Sequence, residues 1–125
     1  MTNYYYLASD QKMNLGNGSV DFSKIDEHMM ITGFDYPIQM EIYNGLKKDW
    51  ELQELLQYIF NHTAPYENCT VQIANLINPE QTERGVQKKH NLLLHEIVDS
   101  KQLLLQDGHL LTIKKVPVFF NDSFK

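Results

Sequence analysis

Cysteine is nearly absent from this 125-residue chain, whose one thiol is Cys69, so no disulfide can form within it. Small secreted domains usually depend on several disulfides, whereas reducing compartments keep thiols free. The first ten residues, MTNYYYLASD, also lack the basic segment and the long apolar segment of a secretory signal. We therefore expect a cytoplasmic location.

Long hydrophobic runs are missing too, and no apolar stretch approaches the roughly 20 residues with which a helix crosses a bilayer. Hydrophobic residues make up 42% of the chain and charged residues 22%, which is typical of folded domains rather than of disordered segments. We predict one globular domain over residues 1–125, with an aromatic tail over residues 117–125. No membrane partner is expected.

Basic residues are scarce, with 11 Lys and Arg against 16 Asp and Glu and a formal net charge of −5. Proteins that bind the phosphate backbone of nucleic acids carry a stripe of Lys and Arg. Here the lysines occur as scattered pairs, and Arg84 is the one arginine. The charge pattern therefore predicts no nucleic-acid partner.

One stretch has a clear helical pattern, because its apolar residues recur three and four positions apart and polar residues occupy the other side. These apolar residues are Leu52, Leu55, Leu56, Ile59 and Phe60. Asp49 is suited to the start of a helix, and Pro65 follows its end. The pattern predicts an α-helix over Asp49–Thr63, which needs a sheet to cover its apolar stripe.

Alternating or β-rich patterns predict strands over residues 3–8, 38–43, 69–77 and 109–116. Residues 21–30 slightly favour a short helix, residues 79–89 a surface loop, and residues 91–98 fit either a buried strand or a helical face. Asp99 or Ser100 can cap a short helix through Gln106. The expected fold is α+β, with four or five mostly antiparallel strands and the Asp49–Thr63 helix on one face.

The candidates for chemistry are few. His90, His95 and Glu96 lie close in sequence, but histidines five positions apart share neither a helical face nor a strand face. Cys69 is a nucleophile only if a histidine lies beside it in space. His28 follows two acidic residues and is a weak metal candidate. None of these patterns is a catalytic or metal-binding motif, and no cofactor is predicted.

Aromatic residues are concentrated at both ends of the chain. The members considered for an interface are Tyr4, Tyr6, Phe119, Phe120 and Phe124. One interpretation packs both ends into the protein's own core. The other is an aromatic surface for a partner or a second copy, since aromatic residues are enriched in interface cores.

Two classes of function remain from the sequence. The first is a small non-enzymatic module that binds or regulates another protein, either as a monomer or as a homodimer. The second is a small enzyme, or a ligand- or metal-binding protein, whose pocket uses histidines together with Cys69 or Glu96. The second class requires that some of His28, His90, His95 and His109 converge in space, whereas the first does not.

Overall fold

The computed structural model of the chain describes residues 3–14, 22–31, 33–43, 48–77 and 86–117. Within them lie one α-helix, six strands and two short 3-10 helices. The helix α1 is Asp49–Thr63, and the strands are β1 (Asn3–Ser9), β2 (Phe22–Met29), β3 (Ile38–Tyr43), β4 (Cys69–Ile77), β5 (Lys88–Leu93) and β6 (His109–Lys115). The 3-10 helices are Leu94–Glu96 and Ser100–Leu103.

The strands form one mixed sheet in the order β2-β3-β1-β4-β6-β5. Every neighbouring pair is antiparallel except β5 and β6, which are parallel. The predicted α+β class, with a mostly antiparallel sheet and one main helix, is confirmed. The sheet has one strand more than the largest number expected.

Two segments differ from the sequence expectation. Residues 22–29 form strand β2 instead of a short helix, because pairing with β3 places Phe22 opposite Ile42 and Met29 opposite Ile38. Strand β5 begins at Lys88, inside the predicted loop, because it hydrogen-bonds alongside β6. In both cases the neighbouring strand outweighs a weak local preference.

Helix α1 covers one side of the sheet, which we name the helix face. Leu52, Leu55 and Ile59 are fully buried against sheet residues. Those sheet residues are Tyr5, Leu7, Met40, Ile42, Val71, Ile73, Leu111 and Ile113. Phe60 is 38% exposed, because eight residues of helix turn it about 80° away from Leu52. No helix within the described ranges is long and apolar enough to cross a membrane.

The start of α1 differs in detail from the prediction. Lys48 is the residue before the first turn, and its backbone N–H donates to the Glu51 carboxylate at 3.0 Å. Asp49 is the first helical residue, where its charge favours the positive end of the helix. The capping function is thus performed by Glu51 rather than by Asp49.

The opposite side of the sheet buries a second, smaller apolar cluster that includes Tyr6, Phe34 and Leu110. Within this side lies a polar group, the fully buried Gln72. Its amide nitrogen donates to Asp35 Oδ2 and to Thr112 Oγ1, both at 3.1 Å, and its oxygen accepts from Asp35 N at 2.8 Å. Both polar atoms of this amide are therefore satisfied.

Candidate functional site

A groove of about 520 Å³ opens on the helix face at the β5 edge of the sheet. One wall comes from β5 and β6, and the other from the segment that follows the second 3-10 helix. We name it the edge groove. Its lining residues are His90, Asn91, Leu92, Gln102, Leu104, Leu105, Gln106, His109 and Leu111.

Two histidines from neighbouring strands meet in the edge groove. His90 Nε2 lies 3.0 Å from His109 Nδ1, and the ring centroids are 5.0 Å apart with a 37° tilt. One ring nitrogen donates its proton and the other accepts it. Both side chains are half-buried, so a ligand in the groove can reach the rings.

The turn before β6 sets the position of His109. Gly108 has φ of +82°, a conformation that glycine adopts without strain. Its N–H donates to Asn75 O at 2.7 Å, and its carbonyl oxygen accepts from Gln87 N at 2.8 Å. The predicted Asp107-Gly108 turn is thereby tied to β4 on one side and to the start of β5 on the other.

The second wall is held by hydrogen bonds from the interior of the sheet. Tyr5 donates its phenolic proton to Leu103 O at 3.1 Å and accepts from Leu105 N at 2.8 Å. Burial raises the pKa of Tyr5, so the phenol stays protonated. Asn75 Nδ2 donates to Leu105 O at 2.8 Å. Although residues 104–106 have no regular structure, this wall is anchored to β1 and β4.

Of the two predicted caps of the short helix, the structure has Asp99, and the helix ends at Leu103 rather than at Gln106. The Asp99 carboxylate accepts from Lys101 N at 2.9 Å, and the Gln102 side chain accepts from Asp99 N at 2.9 Å. This reciprocal arrangement fixes the start of the Ser100–Leu103 helix. It also positions Gln102 at the rim of the edge groove.

The lining of the edge groove is chemically uniform. Its described residues are four leucines, three carboxamides and two histidines, with no hydroxyl, thiol, carboxylate or amine among them. Such a surface offers apolar contact together with uncharged hydrogen bonds. Across the described part of the chain, no three His, Cys, Asp or Glu residues are placed to hold a metal ion.

Strand β5 has a free outer edge in the part of the chain that the structure describes, since β6 is its one neighbour there. Lys88 N donates inward to Gly108 O at 3.2 Å, and Leu93 N donates to Glu96 Oε1 at 2.8 Å. Backbone groups alternate in direction along a strand, so those of Lys89 and Asn91 face outward with Leu93. In the described structure, the outward backbone groups of Lys89 and Asn91 can therefore pair with a further strand.

The structure pairs His90 with His109 and places His95 and Glu96 elsewhere. His95 and Glu96 are exposed on the Leu94–Glu96 helix. The Glu96 carboxylate accepts the Leu93 N–H instead of contacting a histidine. Sequence spacing could not reveal the observed pair, because 19 residues separate its members and only the parallel pairing of β5 with β6 joins them.

Cys69 and His62 both contact the Ser9 hydroxyl. Ser9 Oγ is 2.9 Å from His62 Nε2 and 3.8 Å from Cys69 Sγ. Cys69 is 2% exposed, and burial raises the pKa of its thiol to about 11. A thiol that is buried and protonated is a poor nucleophile. The cluster of Ser9, His62 and Cys69 joins β1, α1 and β4, and its role is structural.

The half-buried setting of His62 predicts a pH effect on stability. Burial lowers the pKa of His62 from its ordinary value of 6.5, although Asp10 acts in the opposite direction. The unfolded chain therefore takes up the proton at higher pH than the folded chain does. We expect the free energy of unfolding to fall as pH decreases from 6.5 towards the lowered pKa.

Urea denaturation over this pH range measures the effect, with His62→Gln as a variant that retains hydrogen-bonding atoms and does not titrate. The difference in unfolding free energy between wild type and variant should shrink, or reverse in favour of the variant, as the pH falls. A difference that is constant with pH would contradict the assignment.

The remaining predicted site residues are placed as follows. Tyr6 is fully buried, and Tyr4 is half-buried with its ring stacked on Tyr6 at a centroid distance of 5.9 Å. This end of the chain thus packs into the protein's own sheet. His28 lies on β2, and its side chain is outside the described part of the structure. Phe119, Phe120 and Phe124 also lie outside the described residues.

Comparisons of the chain with models of protein families, with curated proteins and with solved structures find no match in any of the three. A function for the chain therefore has to come from the chemistry of its own residues.

Proposed function

We propose that the chain is a non-enzymatic cytoplasmic module that binds an extended segment of a partner protein along β5, with an apolar side chain of that segment in the edge groove. The observation that carries this proposal is the position of the groove. In the described part of the chain, an open strand edge and an apolar pocket lie side by side. Peptide recognition by strand addition uses these two features together.

Backbone hydrogen bonds would supply the first part of the binding. Lys89 and Asn91 present outward N–H and C=O groups, and Glu96 limits the open edge by occupying the Leu93 N–H. The available edge is therefore short and suits a brief extended segment. Side chains alternate along such a segment, so every second one would point towards the helix face.

The edge groove would supply the second part. Leu104 is 55% exposed and stands at the groove with Leu105 and Leu92. An apolar side chain placed there would cover these leucines, and burial is worth roughly 25 cal/mol per Å² of apolar surface. The carboxamides of Asn91 and Gln106 can donate to or accept from peptide groups at the rim.

Local charge favours a partner segment that carries acidic residues. The chain has a formal net charge of −5, which at first suggests a basic or mixed partner. Near the open edge, however, Lys88 and Lys89 are exposed at the start of β5. Charges near the contact affect association more strongly than distant ones, because salt screens interactions beyond about 8–10 Å.

Binding can be tested with a displayed library of random peptides, selected on the full chain. Leu104→Glu should weaken the selected peptides by at least about tenfold, because a carboxylate would have to be desolvated in the groove. Val98→Glu is the matched control, since Val98 is 87% exposed and lies outside the groove lining. Its binding should be unchanged.

A second variant tests the strand edge. Asn91→Pro removes an outward N–H, and proline is tolerated where this group faces solvent. We expect it also to lose peptide binding while keeping the folded far-ultraviolet spectrum. Peptides that bind Leu104→Glu and Asn91→Pro as tightly as wild type would refute the proposal. If a second copy of the chain covers the edge groove and β5 instead, the free chain will have the mass of a dimer in solution. Leu104→Glu and Asn91→Pro will then each lower this mass towards that of the monomer.

A further inference from the structure

We propose that His90 and His109 together bind a divalent transition-metal ion. The ion is one that prefers square-planar or octahedral coordination, such as Cu²⁺ or Ni²⁺. The inference does not depend on peptide binding, because it rests on the two imidazoles alone. Imidazole nitrogen is a ligand suited to copper, nickel and zinc. The paired nitrogens face each other in an open groove.

The distance between the nitrogens is that of a hydrogen bond, and it is also close to the spacing of neighbouring ligands in a square or an octahedron. His90 Nε2 and His109 Nδ1 are 3.0 Å apart. With metal–nitrogen bonds of about 2.0–2.1 Å, this separation gives a nitrogen–metal–nitrogen angle of about 94°. Neighbouring ligands in a square or an octahedron subtend 90°, whereas a tetrahedral zinc site would need a nitrogen separation of about 3.3–3.4 Å. The observed spacing favours the first geometry.

Metal binding requires only a shift of one proton between nitrogens of the same ring. In the pair as observed, one ring donates the proton that lies between Nε2 and Nδ1. Moving this proton to the far nitrogen of the donor ring leaves both facing nitrogens with a free lone pair. Both rings stay neutral, so the metal replaces the shared proton without net proton release from the pair. Each ring then has to turn, because a nitrogen–metal–nitrogen angle of about 94° places each metal–nitrogen bond about 43° away from the line between the two nitrogens.

The rest of the coordination sphere is available from the groove. Gln106 carries an amide oxygen in the same lining, and the open mouth admits water. Neither carboxylate nor thiolate is among the described lining residues. Calcium and magnesium prefer several charged oxygen ligands, so this set does not suit them. Among the divalent metals, Cu²⁺ should bind most tightly at a nitrogen and oxygen site.

The test uses the full chain without a tag, titrated with Cu²⁺ and followed by calorimetry and by electron paramagnetic resonance. We expect one ion per chain and a spectrum with coupling to two imidazole nitrogens. His90→Gln and His109→Gln should each weaken the affinity by at least about tenfold and leave one coupled nitrogen.

His95→Gln is the matched control, because His95 is exposed on the neighbouring 3-10 helix and lies outside the groove lining. It should bind copper like the wild type. The far-ultraviolet spectrum of each variant verifies that it is folded. A copper affinity that either groove substitution leaves unchanged, or that is lost in His95→Gln, would overturn the proposal, as would a spectrum with one coupled nitrogen in the wild type.

Discussion

Replacing Leu55 with alanine is expected to lower the free energy of unfolding by about 2–5 kcal/mol. Leu55 is fully buried in the middle of α1 and belongs to the cluster between this helix and the sheet. Truncation removes apolar contacts and leaves a cavity that a packed core refills only in part. The loss should be visible as a lower denaturant midpoint in urea, measured by circular dichroism.

Gln53→Ala is the control for this experiment. Gln53 lies on the same helix, two residues earlier, and is exposed. Alanine has high helix propensity, so this substitution should change stability by no more than about 0.5 kcal/mol. Equal effects of the two substitutions would mean that the α1 stripe does not pack on the sheet as described.

The second large effect concerns two adjacent tyrosines that point to opposite sides of the sheet. Tyr5→Phe should cost about 1–3 kcal/mol, because it leaves a buried carbonyl and a partly buried N–H without their shared partner. These groups are Leu103 O and Leu105 N. The same substitution should speed amide hydrogen exchange at Leu105, since this wall of the edge groove loses an anchor.

Tyr6→Phe removes the same atom from the other side of β1. The Tyr6 hydroxyl is buried, and in the part of the chain that the structure describes it has no hydrogen-bond partner. Burial is the largest cause that raises the pKa of Tyr6, with Glu41 and Tyr4 adding to it. Removing a buried hydroxyl that lacks a partner should be neutral or should stabilise the fold by up to about 1 kcal/mol. Denaturation curves for the two variants side by side test the contrast, and equal losses would contradict it.

Regular periodicity explains which elements could be predicted from sequence. Helix α1 has the predicted bounds, because its apolar residues recur with the helical period over fifteen residues. Strands β3 and β4 also have their predicted bounds. In each case the residues of one element are sufficient to define the side that is buried.

Strands β2 and β5 could not be predicted in this way. Both lie at edges of the sheet, and each depends on one neighbouring strand. Strand β5 begins with Lys88, Lys89 and His90, which have no strong preference for a strand. Its parallel pairing with β6 is a tertiary contact, and nothing in the local sequence indicates it.

The candidate site was correspondingly harder to predict than the fold. Proximity in sequence groups His90 with His95, whereas the partner of His90 in space is His109. His62 lies in the last turn of α1 and contacts Ser9 beside Cys69, and nothing in the local sequence indicates this contact. The His90–His109 pair and the cluster around Ser9 both form through contacts between segments that are distant in sequence. Periodicity carries no information about such contacts.

Hydrogen exchange along β5 is the most direct test of the proposed function. In the free chain, the outward amides of Lys89 and Asn91 should exchange faster than the inward amides of His90 and Leu92, which face β6. Adding a peptide selected on the chain should slow exchange at Lys89 and Asn91 by at least about tenfold, because those amides would then donate to the peptide. Binding that leaves both amides unchanged and protects a different element would contradict the account.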